Sequence, residues 1–450
     1  MKHTKKAVLA TAISLCLSGG AAMADSWTVI QGFTSTGGTT MTQTDATANA
    51  AQTLSSISLD AGTVTNGTQT VTEGGDLTLT QGGTATADAI QAANNISAAT
   101  VTDATQTATV TGATALTQEG ATATSVQAIN RINATTIVKA RQTATLNATS
   151  GNAMTQSVEG DSNVQALNQV SGATDVDDLI QTAESVTATM NQTASGSSNT
   201  QAFNNLSAAN VGATTTVEQT VSADDGITLN QNGSGANNTQ ALNNASVSTN
   251  LAGLTQTATT DDATLNQGAD ASGGNNVQAI NNVDVDNAVT GVNGLTQTVS
   301  PNDAATLSLL QSANTGAGDQ QALNRLNMSN SATSVGADVS QTVGSSGTTA
   351  DLDFDQTNTT VDGLIQAGNL IVGVNNMADG VTQTIDINSV NFKQTNTEAV
   401  LQTGNGVVLG SLGTGTGTIT QTTNSTGGVA LIQETVAASL QSVNYVGVAP

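Results

Sequence analysis

The stretch Leu254-Thr255-Gln256-Thr257-Ala258-Thr259 decides how this chain folds. In an extended backbone Leu254, Gln256 and Ala258 fall on one face, and Thr255, Thr257 and Thr259 on the other, because strand side chains alternate. β-branched threonine suits an outer strand face. A glutamine therefore sits between two aliphatic residues on the face turned inward. A lone buried amide costs about 1–3 kcal/mol when it finds no partner. The rest of the sequence supplies partners.

Glutamine recurs in sets of three. The first members are Gln31, Gln69, Gln106, Gln142, Gln181, Gln219, Gln256, Gln297, Gln341, Gln383 and Gln421. The second are Gln43, Gln81, Gln118, Gln156, Gln192, Gln231, Gln267, Gln311, Gln356, Gln394 and Gln433. The third are Gln52, Gln91, Gln127, Gln165, Gln201, Gln240, Gln278, Gln321, Gln366, Gln402 and Gln441. From Gln31 to Gln421, ten steps cover 390 residues, a mean period of 39. Two residues before every second glutamine stands a large apolar residue, from Met41 through Leu229, Leu265, Phe354 and Phe392 to Leu431. Two residues after the first glutamine only Thr423 is not apolar. Two residues after the third, Leu167, Phe203, Leu242 and Ile280 are typical, and Ala93, Gly368 and Gly404 are the exceptions.

Self-similarity at a fixed period marks a repeat architecture. The offset of two marks strands. The sequence therefore predicts an all-β solenoid of about eleven repeats over residues 25–441, with inward Gln and Leu ladders. Its best-defined ladder residues are Gln219, Gln231, Gln240, Gln256, Gln267 and Gln278, with Leu229, Leu265, Leu242 and Ile280 beside them. Equivalent side chains of successive coils stack about 4.8 Å apart, so each amide can bond the next. Three strands per coil fit the three glutamines, and the longer stretch before each new set, such as Ile96–Val101, has room for a fourth. Gly233-Ser234-Gly235 and Gly273-Gly274-Asn275-Asn276 carry turn chemistry between strands. A disordered Gln/Asn-rich tract would not require the apolar offsets.

The first residues read as an address. Lys2, Lys5 and Lys6 precede an apolar run to Leu17, and Ala22-Met23-Ala24 supplies a cleavage site before Asp25. The run is shorter than the roughly 20 residues of a membrane span. The expectation is a signal peptide at 1–24, a repeat domain at 25–441, and a tail or cap at 442–450 containing Tyr445. Removing the leader takes away the only cysteine, Cys16, and the only histidine, His3. Arg131, Lys139, Arg141, Arg325 and Lys393 are then the only bases, against 33 acids. So acidic a chain cannot neutralise phosphates, which argues against nucleic-acid partners, and it is repelled by anionic membranes. Without thiol or imidazole there is no disulfide framework, no common zinc, haem or iron–sulfur ligation, and no Ser-His-Asp or Cys-His nucleophile. The expectation is a protein that is not an enzyme and takes no cofactor. Asp175, Asp177 and Asp178, the pairs Asp224-Asp225 and Asp261-Asp262, and the alternating Asp351, Asp353 and Asp355 are clusters that could serve calcium or glycoside chemistry. They vary between repeats, and read as solvated charges that block lateral aggregation.

Gln231-Asn232-Gly233-Ser234-Gly235-Ala236-Asn237-Asn238-Thr239-Gln240 resembles the curlin-type repeat in its Q-x-G-x-G spacing and later glutamine, and Gly160 to Ala166 is a shorter echo. The chain also resembles the pseudomonad functional-amyloid fibre proteins, although its period is longer than a curlin repeat and it lacks their long linkers and C-terminal cysteine pair. The resemblance implies secretion to the cell surface through outer-membrane machinery, self-association into cross-β biofilm fibres, and inward ladder roles for Gln231 and Gln240. The Thr-Gln-Thr triplets, such as Thr255 to Thr257, suggest an alternative: a surface adhesin or ice-binding solenoid using a threonine face.

Overall fold

The computed structural model describes residues 15–16, 26–44, 50–83, 89–120, 124–212, 216–233, 235–268, 274–286, 292–302, 304–314, 317–328, 334–335, 338–358, 364–374, 376–377, 380–395, 400–409, 418–434 and 439–448. The leader expected at 1–24 lies outside them except for Leu15–Cys16, a two-residue strand parallel to Ile57–Ser58. The described strands join in one parallel sheet wound into a β-solenoid. Each repeat makes one coil: Gln219 pairs in register with Gln181 on one side and Gln256 on the other, and Gln231 with Gln192 and Gln267. Counted down the first-glutamine column, from Gln31 to Gln421, there are eleven layers. Partners lie between 36 and 45 residues apart in the chain, and the surplus residues fall between strands, so the register is kept.

Within one coil the three glutamines mark three strand segments. The first-glutamine strand alternates buried and half-buried along Ala104–Val110, and the second does so along Ala263–Gln267. In the regular middle of the rod the extended backbone runs unbroken over Val164–Ala194, through the bends. Gly172 takes a bend there at φ 73°, a left-handed conformation that glycine adopts at little cost. The turn before the third glutamine repeats the same device: Ser162, Ser198, Asn237, Asn275 and Gly318 all have φ near +60 to +80°. The next residue (Asn163, Asn199, Asn238, Asn276 or Asp319) is buried and ties one turn to the next; Asn199 Nδ2 donates to Asn238 Oδ1 at 3.0 Å. Residues 442–448, expected as a tail or cap, continue the last coil: Ser439–Val448 is a strand paired in register with Val400–Leu409.

Among the described residues the interior is mainly two apolar columns, with two smaller clusters (one of them around Leu370 and Leu401) and amides between and beside them. One column packs Val71, Leu79, Leu116, Phe203, Leu229, Leu242, Leu265 and Ile280. The other packs Ile96, Val101, Ile132, Ile137, Val176 and Leu254, and uses the longer stretch before each new glutamine set. The first glutamine stands at the boundary, as Gln106 does between Ala104 of the second column and Ala108 of the first. Layers compensate one another in volume. A side chain at Gly368 would collide with Ile385 Cδ1, so the glycine that interrupts the apolar pattern of the third strand makes room for a larger residue opposite. Phe354 and Phe392, in successive layers, stack with ring centroids 4.6 Å apart and planes 11° from parallel.

Candidate functional site

The chemistry of this chain is concentrated in its stacked amides. Gln219, Gln231, Gln240, Gln256, Gln267 and Gln278 are buried, as are Leu229, Leu265, Leu242 and Ile280. All three glutamine columns are continuous. In the first, Gln69 Nε2 donates to Gln31 Oε1 at 2.9 Å, and nine further links of 2.7–2.9 Å reach Gln421. The second column has ten links of 2.6–3.1 Å between Gln43 and Gln433. The third has ten of 2.7–3.0 Å between Gln52 and Gln441. In every link the later layer donates and the earlier layer accepts.

The second amide proton is used across the coil. Gln256 Nε2 also donates to Asn282 O at 3.0 Å, and Gln240 Nε2 to Asn266 O at 3.1 Å. Gln240 and Gln256 thus fasten their layers to the ones before and one wall of the coil to another. Burying a polar group is tolerated when its hydrogen bonds are made.

A fourth column was not read from the sequence. Three residues after the third glutamine, Asn94, Asn130, Asn168, Asn204, Asn243, Asn281, Asn324, Asn369, Asn405 and Asn444 form an asparagine ladder. Its links are 2.8–2.9 Å and run in the opposite sense, each earlier Nδ2 donating to the next Oδ1. An odd offset should point outward. It points inward because alternation stops after the third glutamine: Gln165 to Val170 are all buried, while the register with the neighbouring strand is kept. The recurring Gln-Ala-x-Asn-Asn, as at Gln240 to Asn244, was the available signal.

This ladder ends at Asn94. In the preceding layer Ser55 takes the register position of an asparagine, and the buried Asn94 Oδ1 has no hydrogen-bond partner. Ser55→Asn is expected to supply the missing donor. The gain should be about 1 kcal/mol, read as slower amide hydrogen exchange in residues 26–60, with the middle of the rod unchanged.

Some carboxylates of the acidic clusters contact neighbouring coils. Asp178 pairs with Arg141 at 2.7 Å, Asp175 accepts from Asn210 at 2.8 Å, and Asp353 accepts from Asn391 at 3.1 Å. Among the described residues no three His, Cys, Asp or Glu side chains group as a metal site. Among the described residues one ion pair is partly enclosed: Arg325, 4% exposed in its side chain, meets Asp284, 28% exposed, at 2.9 Å. Burial raises the pKa of the Asp284 carboxyl, but Arg325 and the amides of Asn282 and Asn327 outweigh it and hold it below the usual value. A depressed folded pKa stabilises above the unfolded value of 3.8 and loses that contribution as pH falls through the folded pKa. Asp284→Ala is expected to lower stability at pH 7 by about 2 kcal/mol. The gap to the parent should close as pH falls below 4 in urea titrations followed by circular dichroism.

On the outer side, one threonine column is continuous. Thr70, Thr107, Thr143, Thr182, Thr220, Thr257, Thr298, Thr342, Thr384 and Thr422 follow the first glutamine and pair in register. The column before that glutamine is broken by Arg141, Ile180 and Glu218.

The two ends differ from the middle. Along Ser26–Ser35, Thr39–Gln43 and Ile419–Gln433 no residue is fully buried. Phe33 and Met41 at one end, and Leu431 at the other, are only partly covered core residues. Trp27, Val29 and Ile419 are likewise partly covered at the rim of the second apolar column.

No family model matches the chain, and no curated protein or solved structure is significantly similar to it. The reading of its function therefore rests on the geometry above.

Proposed function

We propose that this protein is a secreted structural subunit that stacks end on end into extracellular cross-β fibres. The observation that carries the reading is the state of the ends: apolar columns, amide ladders and strand edges run to both terminal layers, where core residues such as Phe33, Met41 and Leu431 are only partly covered. An unpaired strand edge is a template for another chain. A repeat array that stays soluble as a monomer normally needs polar capping repeats. Copies joined this way would extend the sheet with strands perpendicular to the fibre axis. The likeness of Gln231 to Gln240 to a curlin-type repeat agrees with this reading, as does an export leader ending at Ala24, which would deliver the chain to outer-membrane secretion machinery and the cell surface. The deduced work is mechanical; no catalysis or cofactor enters it.

Electron microscopy and fibre diffraction of the chain from Asp25 test the proposal. Fibres with a meridional spacing of about 4.8 Å are expected. A solution of single rods that persists on concentration and ageing would contradict it.

The continuous threonine column supports a second reading, in which a single rod acts through its flank as an adhesin or an ice-binding surface. Stable monomers with thermal hysteresis, lost on replacing Thr220 and Thr257 by lysine, would favour it.

A further inference from the structure

We infer that the rods join head to tail, with one polarity, through a junction in which the last layer of one copy meets the first layer of the next. The inference rests on the end-to-end stacking proposed above. Its starting point is the sense of the ladders. In all three glutamine columns each layer donates toward the layer before it, so each ladder, continued in the same sense before the first layer, would have Gln31, Gln43 and Gln52 donate to the copy that docks there. The last layer turns the amide oxygens of Gln421, Gln433 and Gln441 toward its own open face. Donors of one copy thus meet acceptors of the next in three columns at once. The asparagine column runs the other way, and the junction suits it too. Asn405 Nδ2 donates to Asn444 Oδ1, so Asn444 directs its own nitrogen out of the last layer. The residue at that position in the first layer is Ser55, whose hydroxyl oxygen can accept.

Two first layers facing each other would set donor against donor in three columns, and two last layers acceptor against acceptor. Either would also lose the parallel register that every other layer keeps. A hydrogen bond left unmade in a closed junction is costly, so the like-with-like contacts are disfavoured.

Charge points the same way. The chain has 33 acidic residues and a formal charge of −25, enough to keep rods apart along their flanks. Yet the first-layer segments at 26–35, 39–43 and 51–59 contain no Lys, Arg, Asp or Glu, Asp60 coming only beyond them in the strand Ala51–Glu73, and nor do the last-layer strands at 419–433 and 439–448. The two terminal faces are the neutral places where such chains can meet.

The test uses one blocked face at a time. Met41 and Leu431 are the first and last members of the same core column. Met41→Lys places a charge on the first-layer face and Leu431→Lys on the last-layer face, with stems long enough to carry the ammonium to water. The chain from Asp25 is used, because Leu15–Cys16 lies along Ile57–Ser58 at the edge of the first layer. In sedimentation velocity the parent should elongate, each variant alone should stay monomeric, and a one-to-one mixture should form dimers and nothing larger. Dimers from either variant alone would mean like-with-like contact and overturn the polarity. Unchanged elongation of either variant would overturn the assigned faces. A parent that never elongates would instead overturn the fibre proposal itself, and this inference with it. If either variant loses its β circular dichroism signal, Phe33→Lys and Thr423→Lys, the ends of a second column, repeat the experiment.

Discussion

Gln256→Glu should be among the most destabilising single substitutions in the rod at neutral pH, and should recover on acidification. Gln256 is buried at the middle of the first column, donates to Gln219 Oε1 at 2.8 Å and accepts from Gln297 Nε2 at 2.8 Å. A carboxylate there can still accept from Gln297. It cannot donate to Gln219 or to Asn282 O, and it sets a negative charge against an amide oxygen. Burying an unpaired charge costs several kcal/mol, and each abandoned partner adds about 1–3 kcal/mol. When protonated, the same side chain offers one O–H to Gln219 and restores the column. The neutral form is therefore favoured in the folded state and the folded pKa is raised. Stability is greatest below the unfolded pKa, about 4.3 for glutamate, and is lost as pH rises through the folded one. Because a solenoid is held by contacts between adjacent layers, the damage should be local. Limited proteolysis at pH 7 is expected to cut near layers containing Gln219, Gln256 and Gln297, with protection returning near pH 4. Equal resistance at both pH values would contradict the ladder.

The second large effect concerns the apolar column. Phe354→Ala removes a fully buried ring that stacks on Phe392. Phenylalanine-to-alanine changes in cores cost about 3–5 kcal/mol. Here the upper part of that range is expected, because the chain is poor in aromatics and the layers on either side are fixed by their glutamines and cannot close in. Urea unfolding of the C-terminal layers should move to lower denaturant, with the N-terminal layers little changed. Phe354→Leu, matching Leu309 in the preceding layer, should recover most of the loss.

The sequence shows the glutamine columns because an amide beside aliphatic residues has little reason to recur unless it has a partner at each recurrence. The residue two before the second glutamine was equally plain, since every repeat keeps it large. The asparagine column was hidden by geometry. Its odd offset obeys no alternation, and it lies in the core because successive residues such as Leu167 and Asn168 are both buried. Asparagine is also common in turns, where Asn237 and Asn275 do lie, so its presence near a turn carried little information. Gly368 and Gly404 looked like breaks in a pattern. Gly368 is matched to Ile385 across the core, and a side chain at Gly404 would meet the Val443 carbonyl oxygen, contacts that spacing along one strand cannot show. The sense of the hydrogen bonds, on which the polarity of assembly depends, belongs to amide orientation and leaves no trace in residue identity.

The central claim is that one repeat makes one coil, so residues a full repeat apart are nearest neighbours. Electron paramagnetic resonance with nitroxides at Thr220 and Thr257, register partners on the outer face of adjacent layers, tests it most directly. Strong dipolar broadening is expected, from labels on strands about 5 Å apart, and should vanish when the second label moves to Thr228 on another wall. Narrow spectra for the Thr220–Thr257 pair would mean that these residues are not stacked, and the amide columns could not exist as described.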